Sequence, residues 1–392
     1  MKSNQRTAAL LGLASTLVAW TCLASTSFAQ GGGATSIAPA TIAPPVPKPR
    51  DAADAIIRAF DTHSAVLLGE MHWRVAQHRF IQQLLHDRRL PNAVNDIAVE
   101  FANARYQPMI DRYIAGADVP ADSLRQVWEN SIVPLAWDVA LYANVFRAVR
   151  AINRTLPANR RLRVLALDPP IAWDSIRTAD DIPRRWGFRD PMWLDVLERE
   201  VFAKNRKVLV ICGAVHILRR DPTSNFEPAS LDKAGLGDAL AQTHPGATYS
   251  VYPLLGSQGL AMSVKHWRRN TIGDIRGTQL AERSSHLLLP GDITIFTMVN
   301  GKRVPRALNE SDFPPLGHVI DAIAYYGRDT SLAPRVLDSY RDSAYVTEMH
   351  RRSAVERPIF GEDLDSLIDA LARAACRKHL RERGVAASGC RA

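Results

Sequence analysis

Short runs that are apolar at nearly every position constrain the fold of this chain more than any other feature. They occupy residues 65–69, 96–100, 163–168 and 207–213. Continuous apolar runs of this length are typical of parallel strands that are covered on both faces. Because helical patterns separate the runs, the alternation is that of βαβ units. We therefore predict an α/β fold, a three-layer sandwich with a mainly parallel central sheet and helices on both faces.

Less regular patterns follow in the second half of the chain. Residues 248–255, 292–298 and 319–325 predict further strands, and residues 267–285 predict a loop that contains a helix. The C-terminal part predicts helices at the ranges 333–343 and 362–383.

The N-terminus has the pattern of a targeting segment. Lys2 and Arg6 precede an apolar run over residues 8–23, and Ser27-Phe28-Ala29 is a small-x-small cleavage site. We expect a cleaved signal peptide at 1–29 and a periplasmic or secreted protein. An uncleaved anchor and a lipoprotein at Cys22 are the weaker alternatives. No later run is long and apolar enough for a span, so no transmembrane domain is expected after signal removal.

The remaining chain divides by composition. Residues 30–50 are rich in Gly, Ala and Pro and predict a flexible linker. We assign 51–330 to one α/β domain and 331–392 to a helical extension packed on the same domain.

Charge and glycine patterns exclude some classes of function. The chain has 49 Lys and Arg against 40 Asp and Glu, a net charge of +9, and its basic residues are scattered. Without a nucleic-acid-binding motif this mild excess predicts no nucleic-acid partner. No glycine-rich phosphate loop follows any predicted strand, so a nucleotide cofactor is not expected.

The cysteines that follow the signal segment fall into two groups. Cys212 lies inside an apolar run and predicts a buried thiol, whereas Cys376 and Cys390 lie near the C-terminus. In an oxidising compartment the last two could pair.

Chemically active side chains follow four of the predicted strands. Glu70 and His72 follow the first, Glu100 and Asp168 end the next two, and His216 follows the fourth. Ligands of open parallel sheets bind outside the carboxyl ends of the strands, so these side chains are expected to meet there. The structural alternative is that each caps a helix or stabilises a turn. For Asp168, which precedes two prolines, the turn is as good an explanation as the site.

Three kinds of chemistry suit Glu70, His72, Glu100 and His216. A carboxylate-paired imidazole can act as general base in a hydrolysis. The same four side chains could instead bind a divalent metal ion such as zinc, manganese or iron. The third alternative is no catalysis, with a cofactor such as haem in the crevice.

Two residues of the first predicted helix could support the site. His78 and Arg79 lie one or two turns beyond His72, and Arg79 could balance the carboxylates. The alternative for both is an ordinary solvated helix face.

These motifs resemble a known superfamily. Gly69-Glu70-Met71-His72, Glu100 and Gly213-Ala214-Val215-His216 are similar to the motifs shared by erythromycin esterase, the TIKI/TraB proteins and the ChaN-type haem-binding proteins. The ChaN branch resembles this chain most, through Val99-Glu100-Phe101, the stretch 107–116 and the strand end 165–170. The resemblance covers roughly residues 60–220.

The branches imply different functions. Erythromycin esterases hydrolyse a lactone at a His-centred site, TIKI proteins resemble metal-dependent proteases, and ChaN proteins bind haem. The resemblance therefore implies catalytic or metal-binding roles for Glu70, His72, Glu100 and His216. For the tyrosine that binds haem in the ChaN branch, Tyr106 and Tyr113 are the tyrosines near the motif.

The sequence favours an exported, hydrolase-like enzyme of this superfamily. Its partner would be a small-molecule or peptide substrate. The alternative is a haem or iron binding or uptake protein of the ChaN type.

Overall fold

The computed structural model describes most of the chain beyond residue 45. The described residues are 46–133, 135–183, 186, 189–219, 234–254, 260, 264, 266–288, 295–299, 302–306, 313–361, 363–384 and 390. The predicted signal peptide and residues 30–45 of the predicted linker lie outside them. Within the described residues, no helix is both long and apolar enough to cross a membrane.

Strands and helices alternate through the first two thirds of the chain. The strands are β1 Arg50–Asp51, β2 Ala65–Glu70, β3 Asp96–Asn103, β4 Arg163–Asp168, β5 Val208–Gly213, β6 Thr248–Pro253, β7 Thr271–Asp274, β8 Ile295–Val299, β9 Lys302–Arg306 and β10 Ala322–Tyr325. The helices are α1 Ala52–Ala59, α2 Val75–Leu85, α3 Leu90–Ala93, α4 Gln107–Ala115, α5 Ala121–Glu129, α6 Ala140–Asn153, α7 Arg189–Glu200, α8 Leu236–Thr243, α9 Gln279–Glu282, α10 Leu316–Val319, α11 Ser343–Phe360 and α12 Asp365–Glu382.

One mostly parallel sheet of eight strands organises the protein. Its order is β1-β7-β10-β6-β2-β5-β3-β4. Neighbouring strands from β10 to β4 are parallel. β7 is antiparallel to both of its neighbours, β10 and β1. β8 and β9 form a separate hairpin. The predicted mixed α/β architecture is confirmed.

Both faces of the sheet are covered. Within β2, Val66 and Leu68 pack into a core with α1, α2, α4, α5 and α6, whereas Ala65 and Leu67 pack into a second core with α7 and α8. Successive side chains of a strand point to opposite faces, so a fully apolar strand is explained by two helical layers. The sandwich predicted from these runs is confirmed.

The strand order places four strand ends side by side. β2, β5, β3 and β4 are consecutive neighbours, although the chain visits them in the order β2, β3, β4, β5. The helices that follow β2 and β3 pack on one face, and those that follow β4 and β5 pack on the other. The carboxyl ends of these four strands therefore form one rim at the point where the winding reverses, which is where open α/β sheets bind ligands.

Several predicted elements differ in the structure. The range 267–285 was expected to hold a loop and a helix, but it also holds the short strand β7, which pairs with β10 and β1. The range 333–343 was expected to be helical, but it contains only a turn of 3-10 helix at Ser339–Arg341. The strand predicted at 319–325 begins only at Ala322, and residues 292–294 of another predicted strand lie outside the described residues.

The helical prediction at 333–343 is wrong because the backbone there has tertiary partners. Ala333 donates its amide to Trp73, and Val336 donates its amide to Asp138. Pro334 between them cannot donate a helical hydrogen bond.

Helices α11 and α12 pack against each other at the C-terminus. α11 contributes Val355 to a small core with Trp173 and neighbouring residues, and α12 contributes Leu371 to another with Tyr340. Cys376 of α12 forms a disulfide with Cys390. The pairing considered from the sequence is therefore present, and Cys212 is a buried thiol as expected.

Candidate functional site

The end of β2 delivers a buried carboxylate that is bonded to two histidines. Oε2 of Glu70 accepts a hydrogen bond from Nδ1 of His72 at 2.5 Å, and Oε1 accepts one from Nε2 of His78 at 2.8 Å. The Tyr142 hydroxyl donates to the same Oε1 at 3.3 Å. Since only 3% of Glu70 is exposed, these partners replace water around its charge.

Glu70 and His72 shift each other's pKa. Burial acts to raise the pKa of the Glu70 carboxyl, but the charges and hydrogen bonds of His72 and His78 lower it to about 2. Burial also acts to lower the pKa of His72, but the adjacent Glu70 carboxylate more than offsets this and raises it. Each partner therefore favours the charged form of the other.

The two residues of α2 considered as support have different positions. His78 is 1% exposed and contacts Glu70, so it belongs to the site. The side chain of Arg79 is 66% exposed and lies 3.6 Å from Asp329, so it does not balance the site carboxylates. The expectation for Arg79 is corrected, because its position on α2 faces solvent.

Arg189 is the cation that lies between the carboxylates of β3 and β4. Its Nη2 donates to Oε1 of Glu100 at 2.5 Å, and its Nη1 donates to Oδ1 of Asp168 at 2.8 Å. The second oxygen of Glu100 accepts the amide of Gly213 at 2.5 Å. All three charged side chains are buried, and they join the ends of β3, β4 and β5.

The two carboxylates bonded to Arg189 differ in protonation. Burial acts to raise the pKa of Glu100, but the Arg189 charge and both site histidines lower it below its ordinary value. For Asp168 burial prevails over Arg189 and raises the pKa to about 6. Glu100 is therefore a permanent anion, whereas Asp168 takes up a proton in mildly acidic solution.

A second carboxylate–imidazole pair follows β5. Nδ1 of His216 donates to Asp190 at 2.8 Å, and Oδ1 of Asp190 also accepts the amide of Leu236 at 2.7 Å. Nε2 of His216 lies 3.8 Å from Oε1 of Glu100. The Trp193 ring packs on the imidazole with a centroid distance of 4.6 Å. Asp190 thus fixes the ring so that Nε2 points toward Glu100.

The two site imidazoles meet over Gly213. A Cβ atom at Gly213 would lie 3.1 Å from Cε1 of His72, 3.3 Å from Cδ2 of His216 and 3.4 Å from Oε2 of Glu100. Only a residue without a side chain leaves room for both rings. The structure therefore brings together Glu70, His72, Glu100 and His216, as their positions after neighbouring strands predicted.

Aromatic rings form one wall beside His72. The Trp137 ring meets the His72 imidazole edge to face at 5.0 Å, and the Tyr142 ring lies 5.0 Å from Trp137. Trp73 donates its Nε1–H to the carbonyl of Ala136 at 2.7 Å. Its φ of 67° is in the left-handed region, which is unusual for a large side chain.

Three residues of the site were not predicted from the sequence. Arg189 and Asp190 are the first two residues of α7 and directly precede Pro191. The charged pair directly before that proline is the signal that could have indicated them. Tyr142 comes from the buried side of α6, and nothing in the local sequence distinguishes it from an ordinary core tyrosine.

The acidic and imidazole groups form pairs rather than a common ligand set. Both oxygens of Glu70 and both of Glu100 are occupied by hydrogen bonds to protein groups. Among the described residues, no group of three or more His, Cys, Asp or Glu side chains is arranged to hold a metal ion. In this arrangement the four predicted side chains do not fit a divalent metal centre.

Haem places a different demand on the site, because its iron needs a single free donor atom. Nε2 of His72 has no hydrogen-bond partner among the described residues, and 32% of this side chain is exposed. Carboxylates commonly hold the other ring nitrogen of a ligating histidine, as Glu70 does here. The site therefore fits an iron ligand at His72.

The two tyrosines near the motif are engaged elsewhere. The Tyr106 hydroxyl accepts a hydrogen bond from Nδ2 of Asn130 at 2.6 Å. The Tyr113 ring lies 4.6 Å from the Arg150 guanidinium. Neither contact involves the residues around Gly213.

Comparison with known proteins gives one family match. A family model described as haem-binding uptake, Tiki superfamily, ChaN matches residues 56–173. None of the curated proteins compared matches the chain.

Solved structures with low identity are also similar. ChaN of Campylobacter jejuni, described with cofacial haem binding, is 14% identical with a TM-score of 0.34, over 52% of this chain and 86% of that one. A succinoglycan biosynthesis protein is 10% identical with a TM-score of 0.45, over 69% of this chain and 89% of that one. The type III effector HopBA1 is 17% identical with a TM-score of 0.36, over 54% of this chain and 88% of that one.

The matched segment carries most of the site. Glu70, His72, Glu100 and Asp168 fall inside it, whereas Arg189 and His216 follow it. Residues 56–173, which we call the ChaN-like segment, are therefore similar to the haem-binding uptake, Tiki superfamily, ChaN family.

Proposed function

We propose that this protein binds haem at the carboxyl rim of its sheet, with Nε2 of His72 as a ligand of the iron. The observation that carries the proposal is the state of the His72 ring, whose Nδ1 is held by Glu70 while Nε2 is free and partly exposed. Such a ring is oriented before the ligand arrives, which lowers the entropic cost of binding. The ChaN-like segment supports the same choice of cofactor.

The surroundings of His72 suit a flat, largely apolar ligand. The Trp137 ring meets the imidazole edge to face, and Val215, next to His216, is 51% exposed. Apolar side chains beside one free donor are typical of cofactor sites. Haem would supply an iron ion that can bind the electron pair of His72 Nε2. The chain's own part is to orient His72 and to cover the ring with apolar surface.

A haem titration tests this proposal. The purified protein is titrated with haem, and the Soret band is compared between wild type, His72→Ala and His86→Ala. His86 lies at the exposed end of α2, so its variant is the matched control. We expect His72→Ala to weaken binding at least tenfold and His86→Ala to bind as wild type. A wild type without a Soret shift would contradict the proposal. Equal binding by the wild type and His72→Ala would show that His72 is not the residue that binds the iron.

The Asp190–His216 pair favours a second candidate function, hydrolysis by general acid–base chemistry. Nδ1 of His216 is held by Asp190, so Nε2 is free to take a proton from water. His72, whose protonated form Glu70 favours, lies on the other side of Gly213 and could donate a proton to a leaving group. Esters, lactones and peptides are the substrate classes that this chemistry attacks.

The two candidates are separated by one set of samples. Metal and haem content is measured on the native protein, and a panel of esters, lactones and peptides is assayed. Hydrolysis that His216→Ala abolishes would favour the enzyme. Haem binding without hydrolysis of any substrate in the panel would favour the haem proposal over the enzyme.

We also propose that the protein is exported to the periplasm or secreted. The basic, apolar and small-residue pattern of residues 1–29 supports this, and so does the disulfide between Cys376 and Cys390, because such bonds persist in oxidising compartments. The mass of the mature protein is the test. Removal of about the first 29 residues is expected, and a retained N-terminus would contradict cleavage.

A further inference from the structure

We propose that residues 331–336, which lie outside the ChaN-like segment, position His72 for ligand binding, and that Arg335 is the residue through which they act. We call these residues the 331–336 strap. The inference rests on the proposed role of His72 and adds a part of the chain that the family match does not include.

One half of the strap is bonded to the residues that directly follow His72. Val75 donates its amide to the carbonyl of Ser331 at 3.1 Å, and Ala333 donates its amide to the carbonyl of Trp73 at 2.8 Å. Arg74 and Leu332 form an antiparallel bridge between these bonds. The strap therefore fixes the backbone from residue 73 to residue 75.

The other half is bonded to the loop that carries Trp137. Val336 donates its amide to the carbonyl of Asp138 at 2.7 Å, and Arg335 forms an antiparallel bridge with Val139. Nη1 of Arg335 donates to both the Leu135 carbonyl and the Asp138 carboxylate. The strap thus connects the segment that directly follows His72 with the loop that carries Trp137, whose ring contacts His72.

Arg335 also covers Trp73. Its guanidinium carbon lies 4.8 Å from the centre of the Trp73 ring, while the indole N–H is bonded to the Ala136 carbonyl. A large residue in the left-handed region is strained and stays there only while its surroundings hold it. Trp73 has a φ of 67° and directly follows His72, so its conformation sets the direction of the His72 side chain.

Loss of the Arg335 contacts therefore has a predictable effect on the site. Trp73 is released to relax toward negative φ, and His72 then moves relative to Glu70 and Trp137. The short His72–Glu70 hydrogen bond and the edge contact with Trp137 are the interactions that this movement breaks. Arg335 is thus a positioning residue that acts through Trp73.

Nuclear magnetic resonance of the haem-free protein gives a readout that does not depend on binding. The two signals are the downfield Nδ1–H proton of His72, assigned with His72→Gln, and the indole N–H of Trp73, assigned with Trp73→Phe. We expect Arg335→Ala to lose the first and shift the second. Arg335→Lys, which retains a cation, should restore them in part. Arg341→Ala is the matched control, because Arg341 pairs with Glu382 away from the site.

Haem titration of the same variants completes the experiment. We expect Arg335→Ala to weaken haem binding about fivefold to tenfold and Arg341→Ala to leave it unchanged. Wild-type positions of both signals in a folded Arg335→Ala protein would overturn the inference. If Arg335→Ala does not fold, Asp138→Asn replaces it, because this substitution weakens the contact between Arg335 and Asp138. We expect Asp138→Asn to shift the same two signals, and an unchanged spectrum would overturn the inference. A wild type that binds no haem while the signals move would defeat only the proposed function.

Discussion

At the scale of single residues, the buried carboxylates of the site differ in the direction of their pKa shifts. Glu70 and Glu100 are kept ionised by adjacent cations despite their burial, whereas burial prevails at Asp168. Two imidazoles are each fixed at Nδ1 by a carboxylate, and both approach Gly213. The free Nε2 atoms are therefore the chemically available groups.

Gly213→Ala is expected to disturb the site without unfolding the protein. The new methyl group would lie 3.1 Å from His72 and 3.3 Å from His216, so both rings must move by a few tenths of an ångström. We expect haem affinity to fall about tenfold, which corresponds to about 1.4 kcal/mol. Soret titration measures the affinity, and thermal unfolding checks the fold.

Gly235→Ala is the matched control for this substitution. A Cβ atom there meets its nearest neighbours, Asp190 and the His216 carbonyl, at 3.9 Å, which is an ordinary contact. Its affinity should equal that of the wild type. Equal binding by both alanine variants would show that the space at Gly213 is not required.

Asp168 gives the free energy of unfolding a defined dependence on pH. Burial raises its pKa from 3.8 to about 6, so between these values the folded state binds more protons than the unfolded state. Stability from this group is therefore present below pH 4 and falls by about 3 kcal/mol as the pH rises through 6. Asp168→Asn removes this loss.

Denaturant unfolding of the wild type and Asp168→Asn at pH 4 and pH 7 measures the effect. The stability difference should change in favour of the variant at the higher pH, while Asp180→Asn, at an exposed position, should show no such change. A difference that is the same at both pH values would contradict the buried, proton-binding state of Asp168.

At the scale of elements, the turn between β2 and α2 decides where Glu70 and His72 point. Gln77 of α2 is fully buried and bonds to both sides of this turn: its Nε2 donates to the Gly69 carbonyl at 2.6 Å, and its Oε1 accepts the Met71 amide at 2.9 Å. One side chain thus bonds to a backbone group on each side of the turn.

Gln77→Ala is expected to lower the free energy of unfolding by about 2–3 kcal/mol. The Gly69 carbonyl and the Met71 amide would both lose their buried hydrogen bond to Gln77, and a buried backbone group that loses its partner costs about 1–3 kcal/mol. Gln83→Ala, at an exposed position on the same helix, should cost less than about 1 kcal/mol. Urea unfolding of both variants measures the difference, and equal losses would contradict the role of Gln77.

Elements were predictable where local pattern and tertiary environment agree. The strands from β2 to β5 and the helices between them follow from runs that are apolar throughout or apolar at helical spacing. The range 333–343 was not predictable, because its extended backbone depends on partners at Trp73 and Asp138 that are distant in sequence. Short strands such as β7 have the same problem, since their pairing comes from a neighbour rather than from their own residues.

At the scale of the whole molecule, two large cores enclose the sheet, and α11 and α12 add two small ones. The disulfide joins Cys376, within α12, to Cys390, and neither cysteine belongs to the two large cores. It constrains only the C-terminal part of the chain.

The double variant Cys376→Ser/Cys390→Ser is expected to have a local effect. A disulfide that closes a loop of about 15 residues is worth up to about 3 kcal/mol to the structure it constrains. Amide exchange in α12 should therefore become faster, while exchange in β2 and β5 stays at the wild-type rate. Hydrogen exchange with mass spectrometry measures both, and faster exchange throughout the sheet would contradict a local role.

The sequence by itself determined the layered α/β architecture and four of the site residues. Burial on both faces requires strands that are apolar throughout, so polar residues at the ends of such strands are easily recognised in the sequence. Glu70, His72, Glu100 and His216 were identified in this way, and their meeting followed from the rule that parallel strands end at one rim.

Only the tertiary structure decided which groups are partners. It paired His72 with Glu70 and His216 with Asp190, placed Arg189 rather than Arg79 among the carboxylates, and brought Arg335 over Trp73 from far along the chain. Hydrogen bonds and ion pairs act over a few ångströms between residues that are far apart in sequence. Their partners are therefore fixed by strand order and packing, which local patterns do not contain.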